Sequence, residues 1–128
     1  MTLVLDAGGL SALAGQRARL RELLERGLWP AQVPTVVLTE ALTGDHRRDF
    51  NTDRLLRTCQ IREVDESCAR EAARLRTATG RAGTISAADA TVAAHAGETP
   101  GSVVLTSDPA DLRALAAHAT VPISVIAT

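Results

Sequence analysis

Short apolar runs alternate with helix-patterned stretches along the whole of this chain, and acids follow the runs closely. Asp6 ends the run Thr2 to Leu5, Glu40 follows Val36 to Leu38, and Asp108 follows Val103 to Leu105. Strands and helices that alternate in this way build a parallel sheet with helices on both faces, because each crossover must cover the sheet. Carboxylates at the carboxyl ends of such strands converge on the crevice where open α/β sheets bind ligands. The expected fold is therefore α/β: a three-layer α/β/α sandwich around a central, mostly parallel sheet, in one domain spanning residues 1–128.

The elements can be bounded from local pattern. Thr2 to Asp6 reads as a buried first strand with Gly8-Gly9 as the turn out of it, a helix starting soon after. Leu20, Leu23, Leu24 and Leu28 recur at helical spacing, so the pattern predicts a helix over 16–27, stopped by Gly27 and Pro30. A second strand is expected over Val33 to Val37, followed by a short helix over 37–42 that carries Glu40. Residues 44–51 are polar and turn-like, 52–58 helical, and 60–64 a short strand. Asp65 then caps a helix over 66–79 whose apolar stripe is Ala69, Ala72, Ala73 and Leu75, ended by Gly80. Ser86 and Asp89 form a capping-box-like start to a helix reaching about Ala96, which sets Asp89 in its first turn. Ser102 to Thr106 is a strand, 109–117 a helix opened by Pro109, and Ile123 to Ile126 the last strand.

Composition narrows the class further. A chain of 128 residues that is 45% hydrophobic can bury a core without disulfides or a structural metal, and with 2% aromatics that core must be Ala, Leu and Val. No run is long enough to span a membrane and no secretory leader opens the chain, so a cytoplasmic protein without membrane contact is expected. Cys59 and Cys68 lack zinc-like partners and read as ordinary reduced residues, and His46, His95 and His118 are too scattered to be ligands. All 14 basic residues are arginine and none is lysine, against 15 acids. Setting aside Asp6, Glu40, Asp89, Asp108 and Asp111 leaves 14 arginines against 10 acids, a net of +4. An acidic hole in a basic surround suits a metal-dependent enzyme that acts on a polyanion.

Each acid taken singly has a plain structural use. Asp108 before Pro109 is a natural helix cap, Asp111 favours the positive end of the same helix, and Asp89 could cap its own. Asp6 has less structural purpose at the end of a buried strand. Glu40 could be an exposed helical residue, although its neighbours Leu38, Ala41 and Leu42 suggest a partly buried segment, where an unpaired carboxylate is costly.

Taken together, the segments Leu3-Val4-Leu5-Asp6, Thr39-Glu40-Ala41-Leu42, Ile85-Ser86-Ala87-Ala88-Asp89-Ala90 and Val104-Leu105-Thr106-Ser107-Asp108-Pro109-Ala110-Asp111-Leu112 resemble, in order and spacing, those of PIN-domain ribonucleases, and most closely VapC-type toxins of toxin–antitoxin pairs. The resemblance covers essentially the whole chain. It implies that Asp6, Glu40, Asp89 and Asp108 are the catalytic acids and hold Mg²⁺ or Mn²⁺, with Asp111 as an auxiliary ligand. It also implies hydrolysis of RNA to a 5′-phosphate and a 3′-hydroxyl, a small cognate antitoxin whose extended segment covers the acidic cleft, and a homodimer.

The residue types suit that chemistry. Mg²⁺ takes oxygen ligands and keeps several waters, and such ions make a nucleophile from bound water without a lysine or histidine base. Arg47 and Arg48, with Thr106 and Ser107 at a strand end, are the residues expected to contact RNA. Two aromatics leave little scope for base stacking, so recognition by backbone and shape is expected. One departure stands out: members of the family often carry Ser or Thr two residues after the first Asp, where this chain has Gly8. The loss of that hydroxyl bears on catalytic rate more than on metal binding, and Thr106 or Ser107 could supply one from the opposite strand end. Two other classes bear comparison with this sequence. A phosphoacceptor receiver domain needs a lysine that is absent here, whereas a catalytically weak or inactive PIN fold that docks a partner is compatible with Gly8.

Overall fold

A computed structural model describes all 128 residues. Five strands, β1 (Thr2–Leu5), β2 (Gln32–Pro34), β3 (Gln60–Arg62), β4 (Ser102–Thr106) and β5 (Ser124–Ala127), form one sheet in the order β3-β2-β1-β4-β5. Every pairing is parallel, with β1 and β4 in register from Thr2 opposite Ser102 to Leu5 opposite Leu105. Seven helices connect them: α1 (Ala7–Gly15), α2 (Arg17–Glu25), α3 (Thr35–Ala41), α4 (His46–Leu56), α5 (Glu66–Ala78), α6 (Ala87–Ala96) and α7 (Pro109–Ala116). α1 packs with α2, α3 and α4, while α5, α6 and α7 pack with one another, giving the two helical layers of an α/β/α sandwich. No helix is long and apolar enough to cross a membrane.

The topology decides where a ligand can sit. From β1 the chain steps outward to β2 and β3, then crosses back to β4 on the other side of β1 and ends at β5. The switch point therefore lies between β1 and β4, and the crevice beyond their carboxyl ends is the default ligand site of such a sheet. Asp6 and Asp108 follow those two strands.

The core explains the scarcity of aromatics. Leu3, Val4 and Leu5 are covered on both faces, as a central parallel strand requires. Helix α6 is buried along Ala90–Ala96, and its alanines let it lie close against α5 and the sheet. Close approach by small residues replaces the bulk that Phe or Tyr would supply.

Three segments differ from the sequence-based expectation. Gly8 and Gly9 lie inside α1, which starts at Ala7 with Asp6 as its N-cap. They serve close packing: a methyl group on Gly9 would stand 2.2 Å from the carbonyl oxygen of Leu105. Strand β2 ends at Pro34 and α3 begins at Thr35, so the β-branched run Thr35 to Val37 is helical, its propensity overridden by tertiary packing. The polar stretch after Gly44 is α4, capped by Asp45, which accepts the N–H groups of Arg47 and Arg48 at 2.9 and 3.2 Å. Within that helix Asp49 is buried and accepts the N–H and hydroxyl of Thr43 and the N–H of Gly44, fixing the turn that joins α3 to α4. These bonds hold the Asp49 carboxyl below its ordinary value.

Candidate metal-binding site

Asp6 leaves β1 with its side chain almost fully buried, at 5% exposure. One carboxylate oxygen accepts the Gly9 N–H at 2.7 Å, which caps α1, and the other accepts the hydroxyl of Thr106. That hydroxyl in turn accepts the N–H of Asp108 at 2.9 Å. A continuous chain of hydrogen bonds thus ties the end of β1 to the end of β4. Burial pushes the Asp6 carboxyl up, the bonds from Thr106 and Gly9 oppose that, and the charge of Asp108 adds to it.

Asp89 enters from the other helical layer. Ser86 caps α6 by accepting the Asp89 N–H at 3.0 Å, so the carboxylate is set in the first turn. Its pKa is pushed up to about 6, first by burial and then by the charges of Asp6, Asp108 and Glu40. One carboxyl therefore feels the other three. Carboxylate oxygens of Asp89, Asp108 and Asp111 lie within 4.8 Å of one another. Asp6 and Glu40 lie outside that closest group: Asp6 is held by Thr106, and Glu40 is exposed at the end of α3.

An all-oxygen donor set with repelling charges is chemically suited to a hard divalent cation such as Mg²⁺ or Mn²⁺. The groups fit the ion in type and spacing, and binding it would relieve the mutual repulsion.

The remaining candidates fall in different places. Thr106 is fully buried and its hydroxyl is engaged with Asp6 and Asp108, so its expected contact with RNA gives way to the orienting of two acids. Ser107 is exposed beside them. A methyl group on Gly8 would lie 1.8 Å from the Ser107 hydroxyl oxygen, so this serine already fills the space that a side chain at position 8 would take. A hydroxyl is thus present next to α1, supplied from β4's end. Arg47 and Arg48 are exposed on the first turn of α4, and neither forms an ion pair. His95 is buried near the far end of α6, where its Nε2 lies 2.8 Å from Gln32 Oε1, away from the acids in the first turn.

Arg81, which is not among the expected site residues, has its Nη2 2.8 Å from Asp111 Oδ1. Its only local signal is its place between Gly80 and Gly83, just before the helix that carries Asp89.

The PIN domain family model matches residues 3–117. No curated protein matches the sequence. Among solved structures, DNA-bound VapBC from Salmonella typhimurium is similar at 17% identity and a TM-score of 0.73, covering 98% of both chains. VapBC2 from Rickettsia felis bound to a promoter DNA fragment is similar at 17% identity and a TM-score of 0.71, covering 98% of this chain and 99% of that one. FitAcB from Neisseria gonorrhoeae is similar at 21% identity and a TM-score of 0.65, covering 96% of each.

Proposed function

The chain belongs to the PIN-domain family, and on that premise we propose that it is a Mg²⁺- or Mn²⁺-dependent endoribonuclease, the toxin of a toxin–antitoxin pair. The observation that carries the proposal is the convergence of Asp89, Asp108 and Asp111 within 4.8 Å at the switch point of the sheet. Asp6 and Glu40 complete the acidic field, as their effect on Asp89 indicates.

In this reading Asp89 and Asp108 offer oxygens directly to the ion, with Asp111 as the auxiliary ligand. Asp6 is oriented by Thr106 and Gly9 so that its carboxylate cannot rotate away, and Glu40 bounds the site from α3. An ion held there would supply Lewis acidity, lowering the pKa of water and offsetting charge on a phosphate. The exposure of Ser107 beside Asp108 supports a role for its hydroxyl as a donor to a phosphate oxygen, and the exposure of Arg47 and Arg48 supports theirs as contacts to the RNA backbone further out. The absence of lysine leaves the reaction without an amine acid or base, consistent with chemistry carried by carboxylates and water.

The antitoxin is supported by the company the fold keeps: the Salmonella and Rickettsia structures are VapBC complexes. A mixed groove lined by Leu20, Leu24 and Trp29 together with Arg17, Asn51 and Arg54 offers a surface for such a partner, with Leu24 half exposed. A homodimer and a cytoplasmic location belong to the same proposal. The rival reading, a PIN fold that binds without cutting, rests on the hydroxyl missing at Gly8; the Ser107 hydroxyl beside that position supports the nuclease reading over it.

The test is cleavage of labelled single-stranded RNA with Mg²⁺ or Mn²⁺ by the wild type, Asp6→Asn and Asp89→Asn. The proposal requires metal-dependent cleavage that both substitutions abolish. Equal activity in all three proteins would sink it.

A further inference from the structure

Of the chain's ion pairs, only Arg81 to Asp111 reaches an acid of the cluster. The arginine backbone is pinned. Its carbonyl accepts the N–H groups of Thr84 and Ile85, both at 2.9 Å, and its N–H donates to the Thr79 hydroxyl at 3.1 Å. Its side chain, by contrast, is 48% exposed, so the guanidinium can leave Asp111 without any backbone movement.

Charge decides when it leaves. Asp111 shares its close neighbourhood with Asp89 and Asp108, and a monovalent guanidinium on one edge offsets only part of their repulsion. A divalent ion seated among the same oxygens offsets more, and then stands as a like charge a few ångströms from the guanidinium. The two cations therefore compete for one carboxylate. We propose that Arg81 is the resident counter-ion of the acidic cluster and that a divalent metal displaces it from Asp111. The inference rests on the reading of Asp89, Asp108 and Asp111 as the metal site. Its consequence is that metal loading turns an internal ion pair into a free arginine at the rim, beside the place where a polyanion would arrive.

Calorimetric titration of Mn²⁺ into the metal-free protein tests this without any turnover. Arg81→Gln should bind Mn²⁺ about two- to fivefold more tightly than the wild type, the range set by an ion pair of this exposure. Arg113→Gln, which removes the same charge from an exposed position on α7, should bind as the wild type does. Equal gains in the two variants would reduce the effect to the general field, and weaker binding by Arg81→Gln would mean that the arginine orders Asp111 for the metal; either result overturns the inference. Asp89→Asn separates the inference from its premise. If that variant binds Mn²⁺ as well as the wild type, or the wild type binds none, the metal site itself is misplaced and the competition falls with it.

Discussion

The hydroxyl of Thr106 donates a hydrogen bond to the carboxylate of Asp6, joining residues 100 positions apart in the chain. The same oxygen accepts the N–H of Asp108, so one buried side chain sets the spacing of the acids that follow β1 and β4. Replacement by valine keeps the shape and removes both bonds. Thr106→Val should lower unfolding free energy by about 1–3 kcal/mol, the penalty of leaving one oxygen of the buried Asp6 carboxylate and the partly buried Asp108 N–H unmatched, as read from urea denaturation. Thr106→Ser should retain most of the stability, and the two variants should rank in the same order in Mn²⁺ affinity.

Gly8 and Gly9 should respond differently to alanine, although both sit in the first turn of α1. At Gly9 the added methyl meets the backbone carbonyl of Leu105 at 2.2 Å, which no side-chain movement relieves, so a loss of about 1–3 kcal/mol or more is expected. At Gly8 it meets the side chain of Ser107, with the Ser107 hydroxyl oxygen at 1.8 Å and its Cβ at 2.7 Å. Gly8→Ala alone should destabilise, and Ser107→Gly added to it should recover much of that loss. A double-mutant cycle in denaturant shows whether the two sites couple as this packing requires.

These glycines also show where sequence reading reaches its limit. A Gly-Gly pair after a strand carries the local signature of a turn, and only the position of β4, brought alongside by a chain crossover, makes it a point of close helix packing. The first half of α4 was hidden for a related reason, although its second half was expected to be helical: its first residues are charged and polar, and the buried role of Asp49 depends on a turn folded back onto it. Asp6 and Asp108, by contrast, were legible as acids at the ends of β1 and β4 because each closely follows an apolar run, whereas Glu40 lies within α3 and follows no strand. Arg81 was not legible, since its partner lies 30 residues away and the flanking Gly80 and Gly83 alone do not say which acid it meets.

Acidity should act on stability through Asp89. Its folded pKa, about 6, lies above the ordinary value of 3.8, so between those limits the folded state holds more protons than the unfolded one. Without metal, stability should therefore be greatest with respect to this group below about pH 4 and decline as pH rises through about 6. Asp6, also raised, contributes in the same direction. Asp89→Asn should flatten this part of the profile in chelator, and Mg²⁺ should raise the melting temperature of the wild type more at pH 7 than at pH 5, because the metal needs the carboxylate form.

Whether these acids hold a metal that cuts RNA is read from the initial rate of Mn²⁺-dependent cleavage of a labelled single-stranded RNA by folded wild type and Asp89→Asn. Loss of a ligand to an ion that supplies several kcal/mol of transition-state stabilisation should reduce the rate by about a hundredfold or more. Cleavage that survives Asp89→Asn undiminished would rule Asp89 out as a metal ligand and the metal-dependent nuclease with it.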